Sequence, residues 1–183
     1  MATKETYAIT IAGLQRQLRL FEIKPGLRIA ILNILGDTEL VLACARELGK
    51  RLKEIPFDVL VTAEAKSIPL AHALSAELHK PYVILRKTYK PYMGDALKAE
   101  THSITTGASQ LLVLDEKDRD LLAGKQVVLL DDVISTGSTL QGMHMIVEQA
   151  GAQVVKQAAI LTEGERSKWA QIISLGHIPL FTD

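Results

Sequence analysis

Short apolar runs alternate with stretches of helical periodicity along most of the chain. Asp58-Val59-Leu60-Val61-Thr62 is short, rich in β-branched residues and preceded by Pro56, and it predicts a strand. Ile68 to His79 carries Leu70, Ala73, Leu74 and Leu78 on one helical face, with Pro69 in its first turn, and predicts a helix. Pro81 precedes a second strand, Tyr82 to Leu85, and Gly124 precedes a third, Val127 to Leu130. Ser138 to Ala150 predicts a helix that stops at Gly151, a residue suited to the left-handed cap. Val154 to Leu161 predicts a fourth strand. Upstream, Thr38 to Lys53 predicts an amphipathic helix with Leu40, Val41, Ala45 and Leu48 turned inward.

Strands alternating with helices of this length imply βαβ units, hence an α/β fold with a mostly parallel sheet flanked by helices. The strands are nearly continuous apolar runs, as expected when both sheet faces are covered. Ligands of such sheets bind at the carboxyl ends of the strands. Function is therefore expected in the loops after Thr62, Leu85, Leu130 and Leu161. Lys87 to Asp120 breaks the alternation, with strand-like pieces at His102 to Thr105 and Gln110 to Leu114 around Gly107. A long insertion at the active end of a sheet predicts a lid.

Composition narrows the function classes. With 183 residues, 48% hydrophobic and 23% charged, the chain is expected to form one domain over 1–183. Lys plus Arg and Asp plus Glu are both 21, so the chain lacks the overall basic charge expected of a nucleic-acid or anionic-membrane binder. A lone cysteine, Cys44, excludes an intramolecular disulfide and argues against a cysteine-built zinc site. His72, His79, His102, His144 and His177 have no metal-ligand spacing. Met1 to Tyr7 has no apolar signal region, and Leu27 to Leu35 is too short to span a bilayer and is broken by Arg28 and Asn33. The expectation is a cytoplasmic protein acting on small molecules, with no nucleic-acid or membrane partner.

The chemistry concentrates in Val127 to Thr139, VVLLDDVISTGST. A buried strand ends in Asp131 and Asp132, and a loop of hydroxyls and glycine, Ser135-Thr136-Gly137-Ser138-Thr139, opens a helix. Backbone N–H groups and hydroxyls at a helix start suit an anion, most simply a phosphate. Gly137 permits close approach of the backbone. Two adjacent acids at a strand end can accept hydrogen bonds from a vicinal diol, or hold a cation through water. A phosphorylated sugar satisfies both features. The segment resembles the phosphoribosyl-pyrophosphate (PRPP) signature of the type I phosphoribosyltransferases, which have a Rossmann-like core, a small hood and a flexible loop.

The resemblance assigns Asp131 and Asp132 to the ribose hydroxyls and Ser135, Thr136, Gly137, Ser138 and Thr139 to the 5-phosphate. Ala65, Lys66 and Ser67, within Thr62 to Ser67, look like the pyrophosphate loop, and Arg86-Lys87 matches a basic pair used on pyrophosphate. Asp131, Asp132 and Lys66 are the implied catalytic residues, and the stretch from about 88 to 106 is the implied flexible loop. Tyr89, Lys90, Tyr92 and Lys98 interleave aromatic and basic residues there, but a patch confined to one loop is small for nucleic acid. The hood is expected at about 1–36 together with the C-terminal segment. The resemblance further implies Mg²⁺, handled with PRPP, and a homodimer.

The base is less clearly marked. Leu32-Asn33, Glu64-Ala65 and Ser103-Ile104-Thr105 resemble the xanthine enzymes, whereas Ile178-Pro179-Leu180-Phe181 resembles the adenine enzymes. After the last core strand the chain reads Thr162-Glu163-Gly164-Glu165, where 6-oxopurine enzymes place a lysine. A carboxylate such as Glu163 accepts from an amino group and cannot donate to a carbonyl. Asn33 and Glu163 are therefore the expected base contacts, with adenine favoured. Xanthine is the first alternative, then orotate, which Asp-Asp-Val-Ile also resembles. A PRPP-binding regulator without catalysis comes last, because Met1 to Leu27 is too short for a winged helix.

Overall fold

The computed structural model describes residues 5–102 and 109–182. Its central sheet has five strands in the order β10-β9-β8-β4-β5, formed by Ile173–Ile178, Gln153–Glu163, Gln126–Ile134, Val59–Ala63 and Tyr82–Leu85. All four pairings are parallel. The chain is thus α/β, and its core strands fall where the apolar runs lie. β8 runs further than its apolar residues. It continues through Asp131 and Asp132 to Ile134, because β9 extends equally far and pairs Ile134 with Thr162.

Side-chain alternation along β8 divides the interior in two. Val128 and Leu130 face a core shared with α1 (Thr38–Leu52) and α2 (Ile68–Leu78), where Leu40, Leu48, Leu70 and Leu74 are buried. Val127 and Leu129 face a second core with α4 (Ser138–Gln149), whose Met143 and Ile146 are buried. Asp37 fixes the start of α1, its Oδ1 accepting from Leu40 N at 3.1 Å. The second core also takes in a hairpin of β6 (Leu97–His102) and β7 (Ser109–Leu114). Gly142 on α4 lets this hairpin approach closely, since a Cβ there would lie 2.9 Å from Leu112 Cδ1. Backbone bonds between Arg86 and Val113 tie the hairpin to the end of β5. A short α3 (Arg119–Leu122) then leads into β8.

Of the expected loop at about 88–106, residues 91–93 form a 3-10 turn that buries Met93, and 97–102 form β6. Ser103-Ile104-Thr105, Thr106 and Gly107 lie outside the described residues.

The pattern did not announce the N-terminal strands. β1 (Thr6–Ile11), β2 (Leu14–Lys24) and β3 (Leu27–Ile31) form an antiparallel sheet that β11 (Phe181–Thr182) completes, in the order β1-β2-β3-β11. Alternation in β2 is masked by Arg16, a charged residue at a position whose neighbours on the same face, Leu18 and Leu20, pack inward. Its guanidinium is satisfied by Asp37 at 2.7 Å and Glu39 at 2.8 Å. No helix among the described residues is long and apolar enough to cross a membrane.

Candidate active site

Four strand ends of the central sheet carry the candidate residues, and two of them meet closely. The loop after β4 runs Glu64-Ala65-Lys66-Ser67 into α2, and its Glu64–Ala65 peptide bond is cis. Ser67 occupies the N-cap of α2 without capping it by its side chain. Its hydroxyl instead donates to Asp131 Oδ1 at 2.8 Å and accepts from Asp132 N at 3.0 Å, with Asp132 Oδ1 3.3 Å away. Asp132 N also donates to Asp131 Oδ1 at 2.9 Å. Lys66 serves the other acid. Its ammonium lies 3.2 Å from the buried Asp132 Oδ2 and donates to Leu32 O at 3.3 Å, which joins the loop to the segment just after β3.

Asp131 is pushed up to about 7, first by burial and then by the negative charge of Asp132, with the Ser67 hydrogen bond opposing both. The free site therefore holds Asp131 near its midpoint at neutral pH. Any ligand that donates hydrogen bonds to this carboxylate favours its ionised form.

Beyond the acids, Asp131, Ser135, Thr136, Gly137 and Thr139 line a small cavity of about 40 Å³ at the start of α4. Gly137 has φ +82°, a left-handed conformation that favours glycine. A Cβ there would meet Trp169 Cη2 at 3.1 Å, so the indole closes one side of this turn. Thr136 Oγ1 lies 3.1 Å from Ser138 Oγ, and Thr139 Oγ1 donates to Gln110 Oε1 on β7 at 3.3 Å. Helix N–H groups beside hydroxyls form a receptor for a phosphate.

The basic pair after β5 is organised by Glu64, which no motif had singled out for a role of its own. One Glu64 oxygen accepts from Arg86 Nε and the other from Lys87 N, while Glu64 N donates to Leu85 O at 2.9 Å. The carboxylate holds the Arg86 guanidinium above its ordinary value. Arg86 is thus paired with Glu64 rather than with the acid pair, and the Lys87 side chain stands exposed. The spacing Glu64 to Arg86 carries no signal, because a helix and a strand intervene.

On the base side, Asn33 Oδ1 accepts from Leu35 N at 3.2 Å. Asn33 borders a cavity of about 460 Å³ on the N-terminal sheet, with Arg16, Phe21, Ile31 and Asp37. Glu163 ends β9 as a buried residue, and burial pushes its carboxyl up. Trp169 Nε1 donates to Glu163 O at 2.8 Å. Among the described residues, no cluster of three or more His, Cys, Asp or Glu can hold a metal ion. The Cys44 thiol is pushed up to about 12 by burial, which makes it an inert core group.

The phosphoribosyl transferase domain model matches residues 32–172, which include the acid pair, the loop after β4 and both base-side residues. The chain is 32% identical over 132 residues to an adenine phosphoribosyltransferase of Agathobacter rectalis, covering 72% of each. It is also 32% identical over 126 residues to a xanthine phosphoribosyltransferase of Exiguobacterium sp., covering 68% of this chain and 64% of that one. Among solved structures, the adenine phosphoribosyltransferase of Thermoanaerobacter pseudethanolicus superposes with a TM-score of 0.70 at 24% identity, over 87% of this chain and 95% of that one. With the parallel sheet, the acid pair and the helix-borne hydroxyl loop in place, the chain belongs to the type I phosphoribosyltransferases, in their purine branch.

Proposed function

We propose that the protein transfers phosphoribose from PRPP to a purine base, adenine by preference, giving a nucleoside monophosphate and pyrophosphate. The observation that carries this reading is the meeting of Asp131, Asp132, Lys66 and Ser67 beside the hydroxyl loop of α4. Asp131 and Asp132 accept from the ribose hydroxyls, and residues 135–139 hold the 5-phosphate through backbone N–H groups and side-chain hydroxyls. As the base nitrogen forms its bond to C1, the bond from C1 to pyrophosphate breaks, its electron pair leaves with pyrophosphate, and the proton of the base N–H passes to water or to the departing pyrophosphate. Positive charge develops on the sugar and negative charge on the leaving group. Lys66 follows the end of β4 and Arg86 and Lys87 the end of β5, where that leaving group would lie, and fixed charge of this kind acts at the transition state. Mg²⁺ enters as part of the PRPP complex, in keeping with a cation that retains mostly substrate oxygens and water as ligands.

For the base, buried Glu163 favours a group that offers a donor, as the adenine amino group does. Asn33 is the second base contact in this reading. A homodimer belongs to the same proposal, and sedimentation tests it separately. The deciding experiment supplies adenine, xanthine, guanine, hypoxanthine and orotate in turn with PRPP and Mg²⁺ and follows nucleotide formation. The highest kcat/KM with adenine is expected. A higher value with xanthine would reverse the base assignment, and no nucleotide from any base would overturn the transferase reading.

A further inference from the structure

We propose that Ser67 is a positioning residue, whose hydroxyl sets the geometry and ionisation of the Asp131–Asp132 pair from the loop before α2. The inference rests on the functional reading above and deepens it. A serine at an N-cap ordinarily accepts from the N–H groups of the first helical turn. Ser67 has the position but not that bond. It is 2% exposed, so its hydroxyl faces the interior, and both of its capabilities are used on the acid pair. The proton goes to Asp131 Oδ1 at 2.8 Å, and the oxygen accepts from Asp132 N at 3.0 Å. One hydroxyl therefore fixes the side chain of one acid and the backbone of the next.

Such a bond has an electrostatic consequence. Asp131 accepts from a ribose hydroxyl most strongly when ionised, yet burial and the charge of Asp132 oppose ionisation. Ser67 donates to the ionised form and so opposes that penalty. The other charged groups around the pair are few. Asp132 is next along β8, and Lys66 approaches Asp132 from the loop before α2. β9 presents Ala159 opposite Asp131, and the adjoining cavity wall from α4 and its preceding loop, Thr136, Gly137, Thr139 and Leu140, is uncharged. Lys66 and Ser67, adjacent in sequence, thus both act on the acid pair, Lys66 on the Asp132 carboxylate and Ser67 on the Asp131 carboxylate and the Asp132 N–H. Ordering of this loop by the diphosphate of PRPP would be transmitted to the ribose acceptors through these two side chains.

The test reads Asp131 directly and does not depend on turnover. The Asp131 carboxyl carbon is followed by NMR against pH in the free wild-type protein, Ser67→Ala and Ser67→Thr, beside calorimetry with Mg²⁺-PRPP. In Ser67→Ala the Asp131 midpoint should rise by about one pH unit, which is about tenfold in the ionised fraction on the acid side. Ser67→Thr, which keeps a hydroxyl, should restore the wild-type midpoint. PRPP affinity of Ser67→Ala at pH 6.5 should fall about tenfold and recover toward pH 8.5. An unchanged Asp131 midpoint in Ser67→Ala, or an equal displacement in Ser67→Thr, would overturn the proposal. Should Ser67→Ala not fold, Ser67→Gly provides the same comparison. Failure of the wild type to bind PRPP would overturn the functional reading, whereas the NMR midpoints would still decide the role of Ser67.

Discussion

Replacing Asp131 with asparagine should stabilise the unliganded protein at alkaline pH while removing its activity. In the folded state the Asp131 carboxyl is pushed up to about 7, against about 3.9 for an ordinary aspartate. The native state therefore binds more protons than the unfolded chain across the interval between those values. Stability contributed by this group is present below about pH 4 and is lost as the pH rises to about 7. Fully counted, the gap corresponds to about 4 kcal/mol at pH 8. Asp131 is only partly buried, so solvent screening reduces the figure to about 2 kcal/mol. Asparagine keeps an acceptor for Ser67 and for Asp132 N and carries no charge. For a domain of this length, 2 kcal/mol moves Tm by about 4–8 °C. Thermal unfolding of the wild type and Asp131→Asn at pH 4 and pH 8 measures this, with little difference at pH 4 and a higher Tm for the variant at pH 8. The same variant should bind Mg²⁺-PRPP at least tenfold more weakly, since a hydrogen bond to a charged group is lost. A variant less stable at pH 8, or one whose Tm difference is the same at both pH values, would refute the reasoning.

Other perturbations read other parts of the site. Glu64→Gln removes the charge that holds Arg86, so pyrophosphate should inhibit about two- to fivefold more strongly, in line with a partly exposed ion pair of up to about 1 kcal/mol; an unchanged inhibition constant would count against a pyrophosphate role for Arg86. Gly137→Val forces a side chain into a left-handed position 3.1 Å from the Trp169 ring, and PRPP affinity by calorimetry should fall tenfold or more, matching a strain of about 1–3 kcal/mol. Glu163→Gln introduces a donor, so the ratio of kcat/KM for adenine to that for hypoxanthine should fall about tenfold. A ratio left in place would mean that Glu163 does not meet the exocyclic group.

What was legible in the sequence was what local pattern encodes. The core strands β4, β5, β8 and β9 and the helices α1, α2 and α4 follow from continuous apolar runs and helical faces, and the acid pair with its hydroxyl loop is contiguous in the chain. The N-terminal sheet was not legible as strands. Its inward face includes Arg16, whose partners Asp37 and Glu39 arrive from the start of α1. β10 hides for a similar reason, since Ile173–Ile178 includes Gly176 and His177, weak marks of a strand. The site divides along the same line. Lys66 and Asp132 were named separately, but their pairing needs β4 and β8 to be neighbours. The inward turn of Ser67, the hold of Glu64 on Arg86 and the contact of Trp169 with Gly137 join residues between 22 and 64 positions apart, and no motif spacing encodes them.

The strand order has a consequence for how such a protein can change. β8, which carries the acids, is the middle strand of five, held by hydrogen bonds on both sides and by a separate core on each face. Substitution there disturbs everything around it. Asn33 and Glu163 sit elsewhere, one in the link from the N-terminal sheet to α1 and the other where β9 gives way to the turn before the edge strand β10. On the proposed assignment, handling of the sugar phosphate and choice of the base would thereby be separate mutational problems. The first lies on the middle strand and resists drift, whereas the second lies toward the edges of the sheet and is more open to it. Relatives at about one-third identity can therefore carry different purine names on one scaffold. For engineering, a library confined to residues 33–36 and 163–168 would vary the proposed base side while sparing the Trp169 contact with the phosphate turn and the Asp37 cap of α1.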